Sequence, residues 1–128
     1  HHSVAASATL DELKDRFRRG QVPVYARDRV GKLVGEVSFG DLADAAFAPG
    51  RGPAPTAGDL ARPPGLVLYP DDDLAAAWRR AKNQAEDHIP VVRSAKDRTV
   101  LGEVMIRDLM VAYNDALLEA RALERGDA

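Results

Sequence analysis

Asp41 follows Ser38 by three positions in the tetrapeptide Ser38-Phe39-Gly40-Asp41, a spacing that brings a hydroxyl and a carboxylate together on the first turn of a helix. Such a pair caps the helix by itself, and that reading needs no ligand. Met105-Ile106-Arg107-Asp108 carries the same acid with Met at its first position; a thioether neither caps a helix nor donates a hydrogen bond. Arg107 suits a bidentate contact with an anion or a plain solvated position, and Asp108 complements the dipole of a helix. Asp71, Asp72 and Asp73 are consecutive, just ahead of Leu74. Three adjacent carboxylates cannot all face one ion, whereas acids there suit a helix N-terminus. His88 ends the polar stretch Gln84-Ala85-Glu86-Asp87, where it reads as a strand-entry residue or as a group able to sense pH. Arg16–Arg19 surround Phe17 and form the solvated side of a helix. No catalytic residue and no metal-ligand set emerges from these groups.

The composition removes further classes. With no cysteine, the chain has no thiol nucleophile, no disulfide framework and no Cys-ligated zinc. His1-His2-Ser3 reads as the stub of a purification tag, so residues 1–3 are set aside and His88 is the only histidine with evidential weight. Acids and bases are interleaved to a net charge of −2. Without a basic stretch or an aromatic platform, nucleic acid is not an expected partner. No apolar run approaches the roughly 20 residues needed to span a bilayer, and no signal-peptide pattern is present, so a cytoplasmic domain is expected. The 128 residues, 45% of them hydrophobic, suffice for one compact domain or for two small units sharing one core.

The elements that must position these residues come in two copies. Residues 22–42, VPVYARDRVGKLVGEVSFGDL, align with residues 89–109, IPVVRSAKDRTVLGEVMIRDL, at a constant offset of 67, with seven of 21 positions identical. The matches avoid the middle stretch, where a surface turn tolerates change. Each copy is preceded by an amphipathic helix: Leu10, Leu13 and Phe17 in the first, Leu74, Trp78, Ala81 and Ala85 in the second. Two β-rich runs follow, Val22–Tyr25 and Leu33–Val37, or Ile89–Val92 and Val100–Val104. Prolines within these runs remove a ladder donor, so an edge or a bulge is expected at Pro23 and Pro90. A closing helix then starts near Phe39 or Ile106, the second long, with Ile106, Leu109, Met110, Tyr113, Ala116 and Leu117 on one face.

Leu10 lies 13 residues before Pro23, but Leu74 lies 16 before Pro90; the first repeat is expected to lack about one helical turn. The Pro/Gly-rich segment 48–55 joins the halves, and Thr56 with Asp59 forms a capping box for a short helix ended by Pro63-Pro64-Gly65. Leu66–Leu68 is expected to be a strand, with Ser3–Ser7 its degenerate counterpart. The organisation is thus a first repeat over 4–47, a linker with a short helix over 48–65, and a second repeat over 66–125 with an extended C-terminal helix. Neither half can bury its helices alone, so the two should pack as one pseudo-symmetric body.

This ordered set, present twice, resembles the cystathionine-β-synthase (CBS) domain, which occurs as tandem pairs. The resemblance rests on Val22-Pro23-Val24 and Ile89-Pro90-Val91, on Gly35-Glu36-Val37 and Gly102-Glu103-Val104, and on Asp41-Leu42 and Asp108-Leu109. It implies an α+β fold of tandem β-α-β-β-α repeats, a pseudo-two-fold pair with two clefts. It also implies a regulatory rather than enzymatic role, with an adenine nucleotide (AMP, ADP or ATP) or a similar small ligand in an inter-repeat cleft. On that pattern Asp41 holds ribose hydroxyls and Ser38 meets phosphate, while Val22, Pro23, Val24, Ile89, Pro90 and Val91 line the base pocket, most of these strand side chains reading equally as ordinary core. Asp108 and Arg107 would serve ribose and phosphate in the second cleft. Met105 departs from the motif's Ser or Thr, which makes the first cleft the better candidate.

The resemblance further implies homodimerisation through the amphipathic helices, with Met110, Tyr113 and Leu117 as candidate contacts, residues that serve the intramolecular core equally well. Residues 108–117 are similar to the cytoplasmic tails of bacterial ClC-type chloride channels and transporters, implying a covalently attached membrane partner. The competing expectation is a ligand-free structural or dimerisation module, to which the short first helix and Met105 point.

Overall fold

A computed structural model describes residues 3–21, 23–47, 50, 52–84 and 87–126. The chain opens with strand β1 (Ser3–Ala5). Ser3, set aside with the tag, is the first residue of this strand; it is buried and accepts a hydrogen bond from Arg27 Nε at 3.3 Å. Helix α1 (Leu10–Arg18) is capped by Thr9, whose hydroxyl accepts the Glu12 N–H at 3.2 Å. Leu13 buries its side chain fully, with Leu10 and Phe17 packed beside it. Strands β2 (Val24–Arg27) and β3 (Leu33–Val37) follow, then α2 (Phe39–Phe47). β1 runs parallel to β2 and β2 antiparallel to β3, giving the order β1-β2-β3.

The linker carries the four-residue α3 (Ala57–Leu60) with the expected capping box: Thr56 N–H donates to Asp59 Oδ2 at 2.9 Å and Asp59 N–H to Thr56 Oγ1 at 3.4 Å. Those bonds, the backbone one first, hold the Asp59 carboxyl below its ordinary range. In the second repeat α4 (Leu74–Ala81) precedes the antiparallel pair β4 (His88–Val92) and β5 (Val100–Met105), and α5 (Ile106–Glu124) closes the chain. Between its prolines, the expected strand 66–68 narrows to a single parallel bridge between Leu68 and Val91, whereas the segment expected to be degenerate forms the fully paired β1.

Two other expectations are corrected. The first helix is not truncated, since α1 has nine residues and α4 eight. The extra residues of the second repeat lie between the helix end and Pro90, in the connection rather than in the helix. Pro23 sits just ahead of β2, which is a central strand rather than an edge; Pro90 lies inside β4, which belongs to a two-stranded sheet and so is the expected edge strand. The register shifts fall further along, at Ala26/Arg27 and Val91/Val92.

Burial follows the repeat. Val4, Leu13, Val24, Ala26, Val37 and Leu42 form one cluster, and Leu68, Ala77, Ala81, Ile89 and Leu109 form its counterpart. A third cluster, Tyr25, Leu33 and Val92 with Val67, Tyr69 and Val100 against it, joins the two sheets. The Tyr25 hydroxyl crosses this joint to donate to the His88 carbonyl at 2.8 Å. The pseudo-two-fold axis passes between Lys32 and Thr99, equivalent residues that form an antiparallel bridge. Leu33 N–H donates to Arg98 O and Val100 N–H to Gly31 O, each at 2.9 Å. Exchanging the repeats turns one bond into the other. Among the described residues, no helix is long and apolar enough to cross a membrane.

Candidate functional site

β3 delivers Ser38 to the start of α2, and the helix turn returns Asp41 to it. Ser38 Oγ donates to Asp41 Oδ2 at 2.9 Å, and the Asp41 N–H donates to Ser38 Oγ at 3.2 Å. The Ser38 N–H reaches the same carboxylate oxygen at 3.5 Å. The two residues thus form the reciprocal cap that their spacing allows. The other carboxylate oxygen, Oδ1, receives Arg62 Nε at 2.9 Å. Asp41 is sheltered, with 13% of its side chain exposed, while Arg62 is 73% exposed.

Arg62 escaped the sequence reading because it lies in the linker, outside both repeats. The signal available was Pro63: a residue before proline is biased towards extended backbone, and Arg62 indeed continues the sheet beside β3. Glu36 N–H donates to Arg62 O at 2.8 Å, and Arg62 N–H donates to Glu36 O at 2.9 Å. Gly35 is what lets the linker approach. A Cβ there would stand 2.5 Å from Arg62 O and 3.0 Å from its carbonyl carbon.

Two cavities flank the Asp41–Arg62 contact. One, of about 430 Å³, is lined by Asp41, Asp44, Ala45, Pro55, Asp59, Leu60, Ala61 and Arg62. The other, of about 320 Å³, is lined by Glu36, Ser38, Gly40, Asp41, Asp44, Arg62 and Pro63.

The second repeat builds a different site. Met105 occupies the N-cap of α5 without a side-chain bond, and the Ile106 N–H donates to Asp87 O at 2.8 Å. A cavity of about 500 Å³ opens there, lined by Gln84, Asp87, Met105, Ile106 and Arg107. Arg107 reaches its wall; Asp108 is exposed and stands outside it. At Gly102, the equivalent of Gly35, an added Cβ would meet nothing within 4 Å among the described residues.

The strand residues proposed for a base pocket lie deeper. Pro23, Val24, Ile89 and Pro90 are buried and Val91 is half-buried, with Val24, Ile89 and Val91 in the core clusters. None of these five lines the cavities at Asp41 or at Met105. The Pro90 carbonyl accepts the Leu68 N–H at 3.0 Å. Val22 lies outside the described residues. Asp73 caps α4, accepting from Ala75 and Ala76 N–H at 2.8 and 3.3 Å, while Asp72 accepts the Tyr69 N–H at 2.9 Å. His88 is the half-buried first residue of β4. Among the described residues, no group of three or more His, Cys, Asp or Glu can hold a metal ion.

The sequence model of the CBS domain family matches residues 2–48 and 57–115. No curated protein sequence is matched. Among solved structures, a CBS domain pair/ACT domain protein from Thermotoga maritima is 25% identical, with a TM-score of 0.71 over 90% of this chain and 89% of that one. CBSX2 in complex with AMP is 24% identical, with a TM-score of 0.68 over 90% of this chain and 88% of that one. The cytosolic domain of the Mg2+ channel MgtE in complex with ATP is 22% identical, with a TM-score of 0.65; it covers 88% of this chain and 44% of that one.

Proposed function

The chain belongs to the CBS domain family, and on that premise we propose that it binds an adenine nucleotide, AMP, ADP or ATP, in the cleft at Asp41. CBS pairs are regulatory modules without catalytic activity. The observation that carries the reading is the pairing of a sheltered carboxylate with an exposed guanidinium at 2.9 Å, between two cavities. A carboxylate accepts both hydroxyls of a ribose, and a guanidinium matches a phosphate. CBSX2 with AMP and MgtE with ATP lend support from similar folds. In the second cleft the helix start lacks a side-chain cap and Asp108 stands apart from the cavity, so the first cleft is the functional one.

Ligand bound only to the folded state raises the melting temperature, by a stabilisation that grows with the logarithm of one plus the ratio of ligand concentration to Kd. AMP, ADP or ATP at millimolar concentration is expected to raise it, with Asp41→Ala abolishing the effect and Asp108→Ala leaving it. If all three leave the melting temperature unchanged, or if Asp108→Ala is the damaging change, the reading is overturned.

The same proposal places the pair in the cytoplasm, as a homodimer attached to a channel or transporter whose state it modulates by shifting the angle between repeats. The ClC-type tail is one form of that attachment, and the MgtE cytosolic domain lends support to a magnesium transporter as another. The reading frame around this segment checks it: a run of about 20 apolar residues supports a membrane parent, and a frame without one overturns it. One observation favours the second reading, a ligand-free structural module. Both oxygens of Asp41 are already engaged within the chain, Oδ2 by Ser38 and Oδ1 by Arg62.

A further inference from the structure

We infer that Arg62 is a gate that gives the first cleft its choice of ligand: it closes on Asp41 when the cleft is empty and turns to phosphate when a ribose takes Asp41, selecting a nucleoside monophosphate. The inference rests on the nucleotide reading of this cleft and goes beyond it by naming the residue and the ligand class.

Charge carries the argument. Among the described residues lining the two cavities, Arg62 is the only cation, set against Glu36, Asp41, Asp44 and Asp59. Among the described residues of these walls, a phosphate meets no other guanidinium or ammonium, and without Arg62 it would face Asp41, Asp44 and Asp59. One guanidinium matches one phosphate in bidentate geometry. A second and third phosphate would add negative charge beside the carboxylates, with no further cation among the described residues of these two walls, so AMP is favoured over ADP and ADP over ATP.

Geometry supplies the gating. Asp41 is fixed: Ser38 holds Oδ2 at 2.9 Å and 13% of its side chain is exposed. The Arg62 backbone is fixed as well, by its two bonds to Glu36. Only the exposed Arg62 side chain is free to swing, and it covers Oδ1, an oxygen that a ribose diol needs. With its guanidinium 73% exposed and screened by solvent, the pair is worth a factor of about five, so a ligand opens it at small cost. Both cavities share Asp41, Asp44 and Arg62 in their walls; the ion pair is the partition between them. At about 430 and 320 Å³ each lies towards the small end of the range for ligand sites, and withdrawal of the guanidinium joins them into one cleft.

Titration calorimetry with adenosine, AMP, ADP and ATP tests this on the wild type, Arg62→Ala and Arg62→Lys. The backbone bonds that hold the linker do not use the side chain, so both variants should fold. The wild type is expected to rank AMP above ADP above ATP. Arg62→Ala should weaken AMP by about tenfold or more through loss of a charge-assisted contact. The same change should tighten adenosine by up to about fivefold, because the competitor for Asp41 is gone. Arg62→Lys should restore part of the preference for AMP over adenosine, as a point charge without the bidentate fork. If wild type binds these ligands and Arg62→Ala leaves the ratio of AMP to adenosine unchanged, or weakens both together, the inference fails alone. If wild type binds none of the four, the nucleotide reading fails and takes this inference with it.

Discussion

Gly35 and Gly102 hold the same place in their repeats but not the same surroundings. The linker backbone lies against Gly35, so Gly35→Ala should push Arg62 off β3 and lower stability by about 2 kcal/mol, in the range of overpacked sites. Gly102→Ala meets open space among the described residues and should stay within about 0.5 kcal/mol of wild type. Urea denaturation of the two variants checks this, and equal effects would show that the close approach at Gly35 is not real. The contrast also shows what the sequence could reveal at this scale. The repeat made both glycines visible, and the three-residue spacing made Ser38 and Asp41 visible as a pair. Arg62 was not visible as their partner, because its place is set by the path of the linker across β3 rather than by any local pattern. The strand residues around the two prolines carried two readings at once, since alternating apolar side chains signal burial equally well in a core and in a pocket wall.

The closing helices α2 and α5 differ in length, nine residues against 19, and also in how they start. α2 begins with a reciprocal Ser38–Asp41 cap, whereas α5 begins at Met105 with no side-chain bond. Ser38→Ala should therefore destabilise the ligand-free protein by about 1 kcal/mol, the typical value of such a cap, and Ser38→Thr should retain most of it. Chemical denaturation measures both, and a neutral Ser38→Ala would mean that the serine is kept for another reason. Periodicity located all four long helices and both hairpins because each buries one face: Leu13 in α1, Leu42 in α2, Ala77 and Ala81 in α4, Leu109 in α5. It misjudged where the second repeat gains its residues. The distance from Leu74 to Pro90 contains a helix and a connection, and apolar spacing does not say which of them is longer.

At the scale of the whole molecule, two half-cores are joined by a third cluster and by a pair of equivalent hydrogen bonds across the pseudo-two-fold axis. The repeat in the sequence implied that joint but not its contents. Tyr25 and Val92 are equivalent positions with different side chains, and the phenol is long enough to reach His88 from one side only. The outer faces of the helices stay apolar after the two halves have packed. Met110, Val111 and Leu118 are exposed along α5, at 39%, 50% and 61%, while Tyr113 is half-buried in a stack on Trp78 with ring centroids 6.3 Å apart. This moves the proposed dimer contact outward, from Tyr113 and Leu117 to Met110, Val111 and Leu118. Sedimentation should show a dimer for the wild type and a monomer for Met110→Glu combined with Leu118→Glu. A wild-type monomer at tens of micromolar, on the order of common transient affinities, would remove the dimer from the proposal.

The closing helix also has a mechanical side. α5 has 19 residues and α4 only eight, which at 1.5 Å per residue makes lengths of about 28 Å and about 12 Å. Its first turn, through Ile106 and Arg107, is a wall of the 500 Å³ cavity, and its far turns carry Leu118 and Leu123 in solvent. The helix is therefore a lever arm rooted in a cleft. A tilt of about 10° at the root carries the far end through about 5 Å, roughly one helical turn. Under the attachment proposed above, a small motion at the root of α5 would reach Glu124 as a displacement large enough for an attached domain to register.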